Sequence, residues 1–296
     1  VTNVGSGDHL GLNYITTVQD LAVLKRVIVQ NVSTTGTAVL NATDPTVAAM
    51  AGKCRGSVTF FAVDKFHPVM ATHRAQGQAV VYVENGQIVA SKGDLHQTIA
   101  LANIPITMGG LIPFQVENVM ASVAAAWALG LDWNTIRDGL AGFSNDTDNA
   151  QGRFNLFTFR GATVIADYGH NPDAMIALVQ AVQAMPAKRR LVVISGAGDR
   201  RDQDIRQQTE ILGDAFDEVI LYEDQCQRGR QDGEVIALLR QGLANARRTT
   251  QSCEIKGEFL AIDTAMDKLT AGDLCLILVD QVEEAMAHIA ARVEKG

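Results

Sequence analysis

Four short segments carry residue types able to bind or activate a charged ligand. In Thr2-Asn3-Val4-Gly5-Ser6-Gly7-Asp8-His9 the glycines let the backbone approach a phosphate or ion, and His9 offers a metal ligand. In Asp167-Tyr168-Gly169-His170-Asn171-Pro172-Asp173-Ala174 a carboxylate and an imidazole share one loop and could contact a ribose and a phosphate. In Ser195-Gly196-Ala197-Gly198-Asp199-Arg200-Arg201-Asp202 either arginine could pair bidentately with a carboxylate or phosphate. In Tyr222-Glu223-Asp224-Gln225-Cys226-Gln227-Arg228-Gly229-Arg230 two carboxylates could receive a cationic side chain. Each segment also has a plain structural explanation. Asp8 can cap a turn, Asn171 and Pro172 can start a helix, and the charged loops can simply be solvated. Placement gives the four weight together, because each follows a strand-like run, where open α/β sheets bind their ligands.

The elements that must position them alternate in type, strand-like run then helix-like run, which is the α/β pattern. A strand up to Val4 leads to a helix over 17–32, whose Leu21, Leu24, Val27 and Ile28 fall on one face. Then come a strand at 38–40, a turn at 41–45, a short helix to Gly52 and a strand over 58–63. Turns at Glu84-Asn85-Gly86 and Lys92-Gly93-Asp94 predict a small antiparallel patch over 78–101, followed by helices over 115–129 and 133–141. The polar run Ser144-Asn145-Asp146-Thr147-Asp148-Asn149 predicts a domain boundary, with domains 1–147 and 148–296. Beyond it the spacing predicts a hairpin over 154–166 and strands at 191–194, 219–222 and 274–278. Helices are expected near 172–185, 204–215, 231–246, 257–269 and 281–294, giving a Rossmann-like domain.

Composition narrows the function. Over 296 residues, 25 basic against 33 acidic side chains leave a net charge of −8, which argues against a whole-chain nucleic-acid or anionic-membrane binder. Aromatic residues at 5% are too few for a base-stacking platform, and the apolar run 119–131 is too short to cross a bilayer. Cys54, Cys226, Cys253 and Cys275 have no metal spacing, so reduced thiols and a cytoplasmic location are expected. No GxxxxGK[ST], GxSxG or HExxH pattern occurs in the sequence.

Thr2-Asn3-Val4 with Asp8-His9-Leu10-Gly11, then Leu40-Asn41-Ala42-Thr43-Asp44-Pro45, Gly152-Arg153-Phe154 and residues 167–174 resemble the Mur ligase superfamily. The resemblance covers essentially the whole chain. Gly196-Ala197-Gly198-Asp199-Arg200-Arg201-Asp202 and residues 224–234 (DQCQRGRQDGE) resemble, more narrowly, its cyanophycin-synthesising branch. The implied fold is the latter part of a Mur-type central ATPase domain followed by a Rossmann-like C-terminal domain. The implied activity is ATP-dependent amide ligation through an acyl phosphate, adding arginine to the side-chain carboxylates of a polyaspartate (cyanophycin) chain, with ATP and Mg2+ as cofactors.

By that resemblance His9 holds the magnesium ion, and Lys25 joins it if carbamylated. Asn118 contacts adenine, Arg153 and Asp167 contact the nucleotide, and His170 lies near the phosphates. Asp199, Glu223 and Asp224 are candidates for the incoming arginine. The pattern departs from relatives at Thr43, where aspartate is frequent, and at Phe114-Gln115, where a His-Asn pair is frequent. A P-loop, with its preceding strand and acidic metal ligand, is expected in a missing N-terminal part of the same polypeptide. Without that cradle for ATP phosphates, the chain by itself is expected to lack ligase turnover. Two alternatives stand beside this reading: a peptidoglycan-precursor or folylpolyglutamate ligase, and a degenerate, non-catalytic module kept for oligomerisation. A homo-oligomer is expected, with neither nucleic acid nor membrane as partner.

Overall fold

Adjacent apolar residues such as Phe60 and Phe61, or Val80 and Val81, are buried on opposite faces of one sheet, as the two-residue period of a strand requires. The computed structural model that shows this describes every residue except 7–9, 12–13, 148 and 224–226. It divides into two units, Val1–Ser144 and Asn145–Gly296.

In the first unit β1 (Thr37–Asn41), β2 (Ser57–Phe61) and β3 (Val80–Glu84) are parallel neighbours. An antiparallel meander, β4 (Gln87–Lys92) and β5 (Leu95–Ala100), completes the order β1-β2-β3-β4-β5. Asn85 (φ 50°) and Gly86 (φ 72°) make the tight turn that an Asn-Gly pair favours. Leu40, Phe60, Val80 and Tyr82 meet α1 (Val18–Gln30), α2 (Pro45–Ala49) and α3 (Pro68–Ala75). Phe61, Val81 and Ile88 meet α4 (Pro113–Ala128) and α5 (Trp133–Ala141). Residues 1–4 form no regular strand, yet the Val1 ammonium donates to Val39 O, and Asn41 N donates to Val1 O along β1.

Besides the strand expected up to Val4, which is not formed, two expectations need correction here. α3 was not among the predicted elements. The stripe Leu21, Leu24, Val27, Ile28 is not the buried face of α1: Leu21 is buried, whereas Leu24, Val27 and Ile28 are 47–71% exposed. The helix packs through Leu21 and Val29 with Val18 and Ala22. Ile28 lines a shallow apolar groove with Val32, Val39, Ala125 and Leu129.

In the second unit a hairpin, β6 (Asn155–Phe159) and β7 (Ala162–Asp167), turns through Arg160 and Gly161, both at positive φ. With β8 (Arg190–Ile194), β9 (Glu218–Glu223), β10 (Gln251–Lys256) and β11 (Leu274–Leu278) it forms a sheet in the order β10-β9-β8-β11-β7-β6, parallel except for β6. Helices α6 (Pro172–Ala184), α7 (Asp202–Gly213) and α8 (Glu234–Leu243) pack in succession along one face. On the other, α9 (Glu258–Asp267) and α10 (Val282–Lys295) cover Val164, Leu191, Val193, Cys275 and Ile277. This is the expected α/β class, a parallel sheet with helices on both sides.

The insertion of β11 between β8 and β7 matters most for function. After β8 the chain passes to α7 on one face, and after β11 it passes to α10 on the other. Loops leaving neighbouring strands in opposite directions open a crevice at the carboxyl ends. Among the described residues no helix is long and apolar enough to cross a membrane.

Candidate functional site

In the first unit the end of β1 is organised by two side chains. Buried Asn41 accepts from the Thr43 amide (2.9 Å) and hydroxyl (2.7 Å). Asp44 caps α2, accepting at Oδ1 from the amides of Thr46 (2.8 Å) and Val47 (3.0 Å). Its Oδ2 accepts from Val4 N (2.7 Å) and Gly5 N (3.5 Å), tying the first glycine-bearing segment to the strand end. Burial works against the Asp44 charge, but these donors outweigh it and hold the carboxyl below its ordinary range. Lys25 on α1 donates from Nζ to Asn3 O (3.1 Å), so Lys25 and the segment 2–5 come together. Asn118 is exposed on α4, with Nδ2 donating to Gln115 Oε1 (3.1 Å). His9 lies outside the described residues, and among those described no three His, Cys, Asp or Glu side chains gather as a metal site.

In the second unit Asp167 closes β7. It is 8% exposed, with Oδ2 accepting from Phe154 N (2.8 Å) and Oδ1 from Gly169 N (2.6 Å). Burial dominates, opposed by those two amides and by Arg153, and pushes the carboxyl up to about 6. Phe154 is fully buried at φ 54°, a left-handed conformation that costs a non-glycine residue about 1–2 kcal/mol. The bond to Asp167 holds that turn, which presents Arg153 at the surface, its guanidinium 5.6 Å from the Tyr168 ring centre. His170 is half-buried, with Nδ1 3.0 Å from Tyr168 O and its ring 4.9 Å from the Tyr168 ring. Asn171 and Pro172 start α6, the Asn171 side chain accepting from Ala174 N (2.8 Å). Arg153, Asp167, Tyr168 and His170 are thus one cluster at the end of β7.

The loops after β8 and β9 lock together. A Cβ on Gly198 would stand 2.0 Å from Gln227 O, so only glycine fits that approach. Arg230 reaches across the junction, donating to Gly198 O (2.7 Å), Arg200 O (2.7 Å), Asp202 (2.8 Å) and Glu234 (2.6 Å). Arg201 is taken by a bidentate pair with Asp204 at 2.7 and 2.8 Å. Glu223 is 8% exposed, and its Oε1 accepts from Gly233 N (2.6 Å), so it serves the β9–α8 loop. Asp224 lies outside the described residues.

Asp199 faces two other arginines: Arg200 Nη1 donates to its Oδ2 (3.5 Å), and Arg228 approaches its Oδ1. Arg228 Nη2 donates to Asp280 Oδ1 (2.5 Å), and its Nη1 lies 3.9 Å from Asp199 Oδ1. The Tyr168 side chain lies beside the same guanidinium. Burial works against its charge, but these partners outweigh it and push its pKa up. Asp280 escaped the sequence reading; its signal was its place just past β11. Glu258 escaped it as well: almost wholly buried, it accepts from the amides of Asp280 (2.8 Å) and Gln281 (3.1 Å) and so fixes the β11 loop.

Known proteins carry the same two-part arrangement. Residues 1–126 match the model of the Mur ligase middle domain, and residues 152–278 match that of the Mur ligase, glutamate ligase domain. The chain belongs to the Mur ligase family. Within it, the chain is 38% identical over 98% of its length to a cyanophycin synthetase of Geminocystis herdmanii and 36% identical over its full length to one of Synechocystis. It spans 33% and 34% of those two relatives, about a third of their length. A solved structure, E. coli FolC in complex with DHPP and ADP, shares the fold with a TM-score of 0.70. At 23% identity, that match covers 99% of this chain and 61% of FolC.

Proposed function

We propose that this chain is part of an ATP-dependent ligase that joins arginine to aspartate side-chain carboxylates of a polyaspartate backbone. The carrying observation is the 38% identity to a cyanophycin synthetase over 98% of the chain. In this reading the second unit offers Arg153 and His170 to the nucleotide, with Asp167 holding the turn and loop that carry them. An exposed guanidinium beside an imidazole suits a polyphosphate, and the exposed Asn118 amide suits the edge of a purine. When bound, ATP supplies the phosphoryl group that makes the carboxylate reactive toward an amine.

His9 and Lys25 are the proposed magnesium ligands. The Lys25 ammonium that donates to Asn3 O is itself a cation, so metal binding there requires its carbamate. Asp199 is the proposed receiver of the arginine side chain, with Asp224 beside it in sequence; Glu223 contributes through the loop that it braces. A reducing, cytoplasmic setting suits the free thiols of Cys54, Cys253 and Cys275.

The test uses the complete product of the gene that encodes this chain, with ATP, a polyaspartate primer and one amino acid at a time. Phosphate release that requires arginine is expected. Release with diaminopimelate or glutamate and none with arginine would reassign the substrate. The chain by itself is expected to release none, and robust turnover by it would overturn that part.

A further inference from the structure

Arg228 and Arg230 stand two residues apart and are held in different ways. Arg230 is 15% exposed and takes two backbone carbonyls and two carboxylates, the bonding of a side chain that builds a loop. Arg228 is 28% exposed, and its guanidinium is held by the side chains of Asp280 and Asp199, with Tyr168 alongside. Those three come from the loops after β11, β8 and β7, which converge where neighbouring strands send the chain to opposite faces. A crevice of that kind is the ligand position of an open α/β sheet. Here it contains a guanidinium.

We propose that Arg228 is an internal stand-in for a guanidinium ligand: Asp199, Asp280 and Tyr168 form the pocket, and a ligand displaces the Arg228 side chain to enter it. The inference rests on the arginine-ligase reading and deepens it by naming the subsite and what closes it. Exchange of one guanidinium for another leaves the charge around Asp199 and Asp280 unchanged, so neither carboxylate is stripped of a partner. Release of Arg228 breaks a half-buried ion pair with Asp280, which the incoming guanidinium replaces in kind. Arg228 itself sits at φ 48°, in the left-handed region, so the loop directs this side chain into the crevice at some conformational cost.

The test is ligand binding by calorimetry on the whole chain, without ATP or primer. Agmatine carries the guanidinium without a carboxylate, citrulline replaces the guanidinium with a neutral urea, and Nα-acetylarginine amide stands for an arginine already in a polymer. Arg228→Ala is expected to bind agmatine about three- to tenfold more tightly than the parent chain, as loss of a competing ion pair predicts. Adding Asp280→Asn should abolish that gain, and citrulline should not show it. Arg228→Gln, which keeps the bulk without the charge, should reproduce the gain if the alanine variant folds poorly. A gain for Nα-acetylarginine amide as large as for free arginine would identify a polymer-borne side chain as an occupant; a gain for free arginine and agmatine alone identifies the free amino acid. Unchanged agmatine affinity in both Arg228 variants would overturn the proposal. So would weaker binding of free arginine with agmatine unaffected, which would make Arg228 a carboxylate receiver. Agmatine behaviour as expected without arginine-dependent phosphate release would leave the pocket standing and sink the ligase reading alone.

Discussion

Asp44 stands just past β1 in the first unit and receives four backbone amides; Asp167 ends β7 in the second and receives two. Both use a carboxylate to tie a strand end to a neighbouring loop. Asp44 is half-buried, and its donors overcome desolvation, so its pKa falls. Asp167 is buried, its donors do not overcome desolvation, and its pKa rises to about 6. Whether such a tie favours the charged or the neutral carboxyl is therefore set by the ratio of donors to burial, not by the motif in which the residue occurs.

The comparison breaks first at Asp167. Asp167→Ala leaves the buried Phe154 amide and the Gly169 amide without their acceptor, and should cost the second unit about 2–4 kcal/mol at pH 5 in urea unfolding. A loss below that of the corresponding change at Asp44 would contradict the account. The pH dependence is almost as large. Folded Asp167 keeps its proton to about 6, against 3.8 for the free group, so between those values the folded state binds more protons than the unfolded state. Its contribution to stability is greatest below about pH 4 and falls as pH rises through 6, by roughly 3 kcal/mol. Asp167→Asn should remove that downward slope from a series of unfolding curves over pH 4–7.5; parallel curves for variant and parent would refute it.

Asp44→Ala comes next, with an expected loss of about 1–2 kcal/mol from the helix cap and the tie to Val4. Its pH sign is opposite. The Asp44 contribution is present above the ordinary carboxylate value and fades as pH falls through the lowered folded value. The smallest effect is expected for Asp44→Asn, a loss of about 0.5 kcal/mol, since asparagine caps a helix nearly as well. Acid unfolding of this variant alongside the parent would show whether the charge or the cap geometry matters.

Much of the frame was legible because its signals are local. The Asn85-Gly86 turn and the Asn171-Pro172 helix start each follow from the backbone preferences of a few residues. Two elements were missed for physical reasons. β10, Gln-Ser-Cys-Glu-Ile-Lys, is an edge strand with exposed or half-buried side chains, so it has no apolar signature. α3 begins at a proline after a charged turn and buries little besides Met70. The face of α1 was misread because three of its apolar residues face outward. At the second unit's site the segments were legible and the partnerships were not. Sequence spacing could not show that Arg230 is spent on loop carbonyls, that Glu223 braces an amide, or that Asp280, some 80 residues from Asp199, meets the same guanidinium.

The close approach of Gly198 to Gln227 has a bearing on inheritance and redesign. With Arg230 stitching the same junction, the loops after β8 and β9 behave as a single cassette although more than 20 residues separate them in the chain. A relative could lend either loop only together with the other. A graft of one alone would bring a side chain where no space exists or leave a guanidinium with nothing to stitch.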